Sequence, residues 1–249
     1  MQVVREDSHE TMSQRAAEWI AAEIRSRREV LLVAASGATP TRTYELLASR
    51  RRDEPHLFDR VRLVKLDEWW RLERTDAATC EAYLQRNLVG PLGLSADRYL
   101  SFRSDAEDPD AECRRVGEQL QKWSRVGLCV LGLGVNGHLG LNEPADVLQP
   151  YAHGTVLSEA MRKHPMLAST SGSVTRGLTL GMVEILGAAR IALLVSGAHK
   201  AEPMRQLLSG QIATNFPASL LWMHPDVTCF CDRLANPLVG QEDATPGHS

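Results

Sequence analysis

The chain has 249 residues, a hydrophobic content of 43%, a charged content of 24% and a formal net charge of −3 at pH 7. These values are ordinary for a globular protein, and no apolar run approaches the roughly 18 residues of a membrane-spanning helix. The polar segment Met1–Glu10 is not typical of a signal peptide, and the scattered arginines give no basic field for nucleic acid. We therefore expect a cytoplasmic protein without membrane or nucleic-acid partners.

The cysteines do not show the pattern of a disulfide framework. The chain has five of them, an odd number, and Cys80, Cys113 and Cys129 are isolated. Cys229 and Cys231 are two residues apart in a predicted strand, and a CxC pair without a second pair is a weak metal signal. We expect reduced thiols and no metal site.

Strand, loop and helix units follow one another along the chain. An amphipathic helix is predicted over about residues 8–28, with further helices over about 41–49, 77–88, 111–122 and 182–187 and one ending near 209. Buried strands are predicted over about 29–35, 61–66, 128–131, 191–196 and 227–231. This alternation predicts the α/β class, with a three-layer, largely parallel twisted sheet and helices on both faces, as in Rossmann-like folds.

The chain shows no internal repeat, linker or low-complexity block, which predicts a single α/β domain over residues 1–249. Residues 145–173 lack a strong strand signal and are rich in Ser, His and Gly. Such a stretch is a candidate for a mobile flap. The tail, residues 237–249, is expected to be disordered.

The segment Leu128–Pro144, LCVLGLGVNGHLGLNEP, contains a GxGxxG match at Gly132–Gly137. A dinucleotide site needs a helix that opens at the third glycine and an acid about 20 residues further on, at the end of the next strand. Pro144 lies only seven residues after Gly137, and no strand precedes the region of Glu159. We therefore predict neither a nicotinamide nor a flavin cofactor.

The same segment places ionisable side chains just after a buried strand, where open α/β sheets bind ligands. A lone histidine in a loop is more often structural than catalytic. His138, however, has glycines beside it that allow close approach of a ligand, and Glu143 is near enough to orient the imidazole. The pair lacks HExxH spacing and a third ligand, so a general acid/base histidine is predicted in preference to a metal site.

Two other strand ends carry residues suited to a ligand. Ser36–Thr39 forms a loop before a predicted helix, where free N–H groups and the helix dipole favour an anion, although an ordinary turn would have the same composition. Asp67 and Glu68 end the second strand beside Trp69 and Trp70. This pair could include a carboxylate with a tuned pKa, or it could be a helix cap.

Four blocks occur in the order and spacing of the glucosamine-6-phosphate deaminase/isomerase family: SGATP at 36–40, LDEW at 66–69, LGLGVNGHLGLNEP at 131–144 and SGAHK at 196–200. The resemblance covers residues 10–232, and the third block is the most specific. The variants NGHLGLNEP, VKLDEW and VTRGLTLG resemble the galactosamine-6-phosphate deaminase/isomerase branch. The resemblance implies a cofactor-free reaction that releases ammonia and forms tagatose 6-phosphate.

The resemblance also implies catalytic roles. Asp67 would be the base that moves a proton between C2 and C1 of the opened sugar, and His138 would open the ring by carrying a proton to the ring oxygen. Glu143 would orient His138. Asn136 stands where the family usually has an aspartate. Because an amide cannot offset an imidazolium charge, the pKa of His138 should be lower here than with aspartate.

For the substrate phosphate, the resemblance implies residues at two strand-to-helix turns: Ser36, Gly37, Ala38, Thr39 and Lys200. The glucosamine enzymes add a flap arginine, and alignment from Glu143 without gaps puts His164 near that position. Arg176 is a second candidate for that charge, since a similarly placed arginine serves the related 6-phosphogluconolactonases. The alternative for Arg176 is a surface arginine.

These features together predict an enzyme that acts on a small-molecule amino-sugar phosphate, first of all galactosamine 6-phosphate. Glucosamine-6-phosphate deaminase, 6-phosphogluconolactonase and a non-catalytic sugar-phosphate sensor are the alternatives. Family members often form oligomers, so the resemblance is compatible with a homo-oligomer.

Overall fold

The computed structural model describes residues 1–123, 125–168, 170 and 173–237. All but the first residue of the predicted tail, 237–249, lie outside the described residues. The described strands are β1 (Gln2–Glu6), β2 (Val30–Ala34), β3 (Val61–Lys65), β4 (Asp67–Trp69), β5 (Tyr99–Leu100), β6 (Leu128–Gly132), β7 (His153–Val156), β8 (Arg176–Thr179), β9 (Arg190–Val195) and β10 (Val227–Asp232).

The described α-helices are α1 (His9–Arg25), α2 (Ala38–Arg50), α3 (Cys80–Leu84), α4 (Gly90–Leu92), α5 (Pro109–Lys122), α6 (Glu159–Arg162), α7 (Met182–Leu186) and α8 (Ala201–Leu208). A π-helical turn, Gln85–Val89, joins α3 to α4, and 3-10 turns occupy Ala96–Arg98, Pro165–Leu167, Ala198–Lys200 and Pro217–Met223. No helix in the described ranges is long and apolar enough to cross a membrane.

Seven parallel strands form the main sheet in the order β1-β10-β9-β6-β2-β3-β5. Every residue of β2 is buried, because both faces of the sheet are covered. Leu32 belongs to the core under α1 and α2, whereas Leu31 and Val33 belong to the core under α5 and α8. The predicted three-layer architecture with a largely parallel sheet is confirmed.

A second, antiparallel sheet has the order β4-β8-β7. It begins immediately after β3, and its register pairs Asp67 with Thr179 and Trp69 with Gly177. Strand β7 and helix α6 lie within residues 145–173, where the sequence shows no strong strand signal. Strand β7 is short, and its residues are only partly buried or exposed. A buried-strand pattern therefore cannot reveal it.

The amino-terminal strand β1 was also missed. It pairs with β10 at the edge of the main sheet, and three of its five residues are exposed. An edge strand tolerates this polar composition because one side of it faces solvent. Helix α2 begins at Ala38 and not at the predicted Thr41, so Pro40 lies in its first turn, where proline is tolerated.

Candidate active site

A cavity of about 380 Å³, the main cavity, lies at the carboxyl ends of β2, β3 and β6. It is lined by eight of the predicted site residues, which are Ser36, Gly37, Ala38, Thr39, Asp67, His138, His164 and Lys200. The topology accounts for the position. β2 and β6 are neighbours, but the chain leaves β2 toward β3 and, after β6, joins the main sheet again at β9 on the other side. Diverging connections of this kind open a crevice in a parallel sheet.

Asp67 is the carboxylate that reaches the main cavity from β4. Its side chain is nearly buried, with 9% of the residue exposed, and Ser36 Oγ donates a hydrogen bond of 3.4 Å to its Oδ1. Burial, and secondly the negative charge of Glu68, raise the pKa of Asp67 to about 7. A carboxylate with this pKa is suited to accept and return a proton near neutral pH.

Glu68, the neighbouring acid, is fully buried and points away from the cavity into an ion-pair network. Its Oε2 accepts a hydrogen bond of 2.6 Å from the buried Lys65 Nζ, which also donates to Glu81 at 3.0 Å. The Glu68 carboxylate further accepts the backbone N–H groups of Cys80 and Glu81, both at 2.9 Å, in the first turn of α3. Asp67 thus has the shifted pKa expected of one member of the pair, whereas Glu68 accepts N–H groups of α3, whose N-cap is Thr79.

His138, Asn136 and Glu143 form a hydrogen-bonded set, the imidazole triad. Asn136 Oδ1 lies 2.6 Å from His138 Nδ1, and Asn136 Nδ2 donates to Glu143 Oε2 at 2.8 Å. An ionised carboxylate can only accept, so the amide must turn its NH2 toward Glu143 and its oxygen toward the ring. Nδ1 then carries a proton and Nε2 of the neutral ring is free to accept one. Glu143 is therefore linked to His138 through Asn136, and this arrangement is compatible with the predicted orienting role of Glu143.

The protonation state of His138 follows from its surroundings. Burial lowers the pKa of His138 to about 4, the negative charge of Glu143 opposes this change, and Lys200 and His164 add to it. The main cause is therefore desolvation, and the ring is neutral at pH 7. A neutral ring with Nε2 unprotonated acts first as a base.

The glycines of the third motif mainly make room for side chains. A Cβ on Gly134 would collide with the His138 ring, and a Cβ on Gly137, whose φ is +84°, would collide with Phe216. Of these three glycines, Gly132 is the one that lines the main cavity with open space at its Cβ position. Close approach of a ligand was the predicted reason for all three glycines, and it fits Gly132 alone.

The loop Ser36–Thr39 leads into α2 with its backbone donors available. Gly37 has a φ of +125° and no side chain caps the first turn, which has no acidic residue. Thr41 Oγ1 and the Tyr83 hydroxyl donate to the Gly37 carbonyl at 2.9 and 2.8 Å. The turn is thus held open at the amino terminus of a helix, an arrangement that favours anions.

Lys200 enters the cavity from a second turn, which begins at Gly197 after β9. The Gly197 N–H donates to the Asp232 carboxylate at 3.1 Å, and Ser196 Oγ donates to it at 2.5 Å. Burial lowers the pKa of Lys200 to about 8, so most of the lysine is charged at pH 7. His199, which was not predicted, lines the cavity beside it.

Of the two candidates for the missing flap arginine, only His164 reaches the main cavity. Its ring lies 5.6 Å from the Trp69 ring. The Arg176 guanidinium instead stacks on Trp70, 5.0 Å from the ring centroid. Gly177 pairs with Trp69 across the sheet, so the two residues face the same side. Because successive residues of a strand face opposite sides, Arg176 points away from the cavity. Arg176 is not among the residues that line the main cavity, and its contact with the phosphate stays a prediction.

Sequence reasoning missed several residues that line the main cavity: Cys80, Ala160, Met161, Lys163 and Met166. Met161 belongs to a small apolar cluster with Trp69, Cys80 and Leu141. The sequence analysis named Trp69 only as a neighbour of Asp67 and Glu68. The residues near 161 gave no signal, because they reach the cavity through the fold of residues 145–173 and not through a strand end.

A second groove of about 620 Å³ lies at the opposite, amino-terminal end of β2. Its charged side chains are largely paired with one another, as in Arg25 with Glu54 and His56 with Asp59. It contains none of the predicted site residues. In the described residues, no group of three His, Cys, Asp or Glu side chains is placed to hold a metal ion.

Comparison with known proteins agrees with this geometry. The model of the family described as glucosamine-6-phosphate isomerases/6-phosphogluconolactonase matches residues 5–229. The Escherichia coli (strain K12) protein named "Putative deaminase AgaI" is 41% identical over 223 residues, which are 90% of this chain and 88% of that protein. "Glucosamine-6-phosphate deaminase 1" of Bacillus subtilis (strain 168) is 34% identical over 94% of this chain and 98% of its own length.

Solved structures show the same fold. A monomeric glucosamine-6-phosphate deaminase superposes with a TM-score of 0.88 at 34% identity, over 94% of this chain and 98% of that one. The 6-phosphogluconolactonase of Trypanosoma brucei has a TM-score of 0.74 at 18% identity, over 94% and 97% of the two chains. The fold and the cavity thus define an α/β enzyme. The chain belongs to the glucosamine-6-phosphate isomerase/6-phosphogluconolactonase family.

Replacing Lys65 by Met should destabilise the protein and shift the pKa of Asp67 further upward. The change leaves Glu68 buried without its cation, which typically costs about 3–5 kcal/mol in the free energy of unfolding. It also removes a positive charge that lowers the pKa of Asp67. Urea unfolding measures the first effect and titration of Asp67 by NMR the second. Lys122→Met, the same change at an exposed lysine, is the control and should alter neither quantity.

Replacing Asn136 by Asp should raise the pKa of His138, because a carboxylate beside Nδ1 stabilises the imidazolium. The same change places two carboxylates together, so Glu143 loses the N–H that it accepts from Asn136. Titration of the His138 ring by NMR measures the shift. An unchanged or lower pKa in the variant would show that Asn136 does not control the charge of this ring.

Proposed function

We propose that the protein is a deaminating aldose–ketose isomerase that converts galactosamine 6-phosphate and water into tagatose 6-phosphate and ammonia. The observation that carries the proposal is the placement in one cavity of a carboxylate with a pKa near 7, Asp67, and a neutral imidazole, His138. The 41% identity to the protein named "Putative deaminase AgaI" supports the deaminase reaction. The motif variants NGHLGLNEP, VKLDEW and VTRGLTLG support the galactosamine epimer.

The substrate phosphate binds between the two turns at the cationic end of the main cavity. The N–H groups at the start of α2 and the ammonium of Lys200 supply the positive field, and helix amino termini stabilise anions. His164 approaches from the other wall. This end of the cavity fixes the sugar so that its C1 and C2 atoms reach the two proton-transfer groups.

Ring opening is the work of His138. Its free Nε2 accepts the proton of the C1 hydroxyl and returns it to the ring oxygen, which leaves C1 as an aldehyde. The imidazole triad keeps Nδ1 protonated, so that Nε2 remains the base. The low pKa of His138 keeps the ring neutral at the start of each cycle.

Isomerisation and deamination follow at Asp67. The carboxylate removes the proton from C2 and delivers it to C1, and the amine gives up one N–H proton to the C1 oxygen. C1 thereby becomes a hydroxymethyl carbon and the amine at C2 becomes an imine. Water then adds to C2 and ammonia leaves, which yields the ketone. Burial keeps the carboxylate basic enough for the first transfer and able to release the proton in the second.

Glucosamine 6-phosphate is the second candidate substrate. It is favoured by the relatives named glucosamine-6-phosphate deaminase at 30–34% identity and by the solved structure with a TM-score of 0.88.

We also propose a cytoplasmic location, which the five free, buried cysteines support. Residues 145–173 are proposed to act as a flap, since they supply Met161 and His164 to the cavity.

A direct comparison of substrates tests the proposal. Purified protein should release ammonia from galactosamine 6-phosphate with a higher kcat/KM than from glucosamine 6-phosphate. A clear preference for the glucosamine epimer would replace the first substrate by the second. Hydrolysis of 6-phosphogluconolactone without ammonia release from either amino sugar would make the protein a lactonase, and tight binding without turnover would make it a sensor.

Replacing Asp67 by Asn should lower kcat by about 10²–10⁴-fold with the fold intact, because an amide cannot accept the C2 proton. In the unaltered enzyme, kcat/KM should rise with pH up to about 7, since Asp67 acts only when deprotonated. This acidic limb should be absent from the residual activity of the variant. Asp53→Asn at an exposed site is the control. Ammonia release by Asp67→Asn at the unaltered rate would exclude Asp67 as the base.

A further inference from the structure

Ser158 lies where strand β7 passes into helix α6, and it caps that helix. Its Oγ accepts a hydrogen bond of 3.3 Å from the backbone N–H of Met161. Helix α6 and the turn after it carry Met161 and His164 to the wall of the main cavity. The stretch 157–168, here called the cavity segment, is anchored by the buried side chains of Leu157, Met161 and Leu167.

The same serine contacts the outer end of the imidazole triad. Its Oγ donates to Glu143 Oε1 at 2.9 Å, and its backbone N–H donates to the same oxygen at 3.2 Å. The Met161 N–H can only donate, so the hydroxyl oxygen must accept there and its single proton must point to Glu143. One hydroxyl therefore serves the helix and the carboxylate at once.

The other oxygen of Glu143 completes the path to the reacting group. Oε2 accepts from Asn136 Nδ2, and Asn136 Oδ1 lies against His138 Nδ1. Ser158 occupies one side of the carboxylate and Asn136 the other, which fixes its rotation. A supporting partner of this kind sets the orientation and tautomer of a histidine, as outer-shell groups do at metal sites.

We infer that Ser158 is a positioning residue that joins the seating of the cavity segment to the tautomer and orientation of His138. When the segment lies over the cavity, Ser158 directs its proton to Glu143, and the triad holds Nε2 free. The cavity wall that carries Met161 and His164 is therefore ordered in the same step that makes Nε2 of His138 available as a base. The consequence for catalysis rests on the proposed function, whereas the link between Ser158 and the imidazole does not.

Three substitutions at position 158 separate the link from simple helix capping. Ser158→Ala removes both the cap and the donated proton. Ser158→Asp retains a good helix cap but has no proton for Glu143 and sets a carboxylate against it. Ser158→Thr retains both functions of the hydroxyl. Asp108→Ala removes the side chain that caps α5 by accepting from the N–H groups of Asp110 and Ala111, and it serves as the matched control.

We expect Ser158→Ala and Ser158→Asp to lower kcat by about 10-fold, the scale of outer-shell losses at histidine ligands, and Ser158→Thr to restore it. KM should rise only in Ser158→Ala, since Ser158→Asp keeps the cap. The 15N resonances of the His138 ring should show Nδ1–H alone in the unaltered protein and mixed tautomers in the Ala and Asp variants. Asp108→Ala should lower the melting temperature and leave the ring resonances unchanged.

A double-mutant cycle completes the test. If Ser158 acts through Glu143, Ser158→Ala should lower kcat by less than about 2-fold in a Glu143→Ala background, because coupled residues are not additive. Unaltered ring resonances and kcat in Ser158→Asp would overturn the inference and leave Ser158 as a helix cap. The resonances do not require turnover. Mixed tautomers in a protein that releases no ammonia would therefore uphold the link and reject the proposed function.

Discussion

The buried ion pair of Lys65 and Glu68 is the interaction on which the arrangement of the cavity depends. Both side chains are fully buried, and Glu68 also receives the first N–H groups of α3. The pair thereby joins the end of β3 to α3 and holds the first residue of β4, Asp67, at the cavity. Buried pairs add little net stability compared with apolar residues of equal volume. Their value here is positional and electrostatic, since the charge of Glu68 contributes to the raised pKa of Asp67.

In the imidazole triad, burial shifts a pKa in the opposite direction: it lowers that of His138. Burial and the like charge of Glu68 keep the pKa of Asp67 near neutral pH. Burial instead lowers the pKa of His138 well below that range. Asn136 is compatible with such a ring, because its amide has one donor for Glu143 and one acceptor for Nδ1 and carries no charge. The two groups thus enter the proposed cycle in different states. Asp67 is poised between its acid and base forms, and His138 is ready to accept a proton.

The predictions that succeeded rest on short-range patterns. The run of five buried residues in β2 marks a strand covered on both faces, and such strands end at the ligand-binding edge of a parallel sheet. Other expectations depended on side-chain directions that no sequence pattern fixes. Arg176 stacks on Trp70 because β8 pairs with β4, and Gly134 is required by the ring of His138. Neither contact produces a periodic sequence pattern from which it could be predicted.

The sequence by itself determined the α/β class, the strand ends that meet at the cavity and eight of the residues that line it, because burial and turn chemistry are encoded locally. The tertiary structure decided how the polar side chains at these strand ends are placed. Asp67 faces the cavity and Glu68 faces Lys65, Glu143 reaches His138 only through Asn136, and residues 145–173 fold into part of the wall. Several of these hydrogen bonds join residues that are close in the chain, but the side-chain directions that allow them become defined only when the two sheets and their helices assemble.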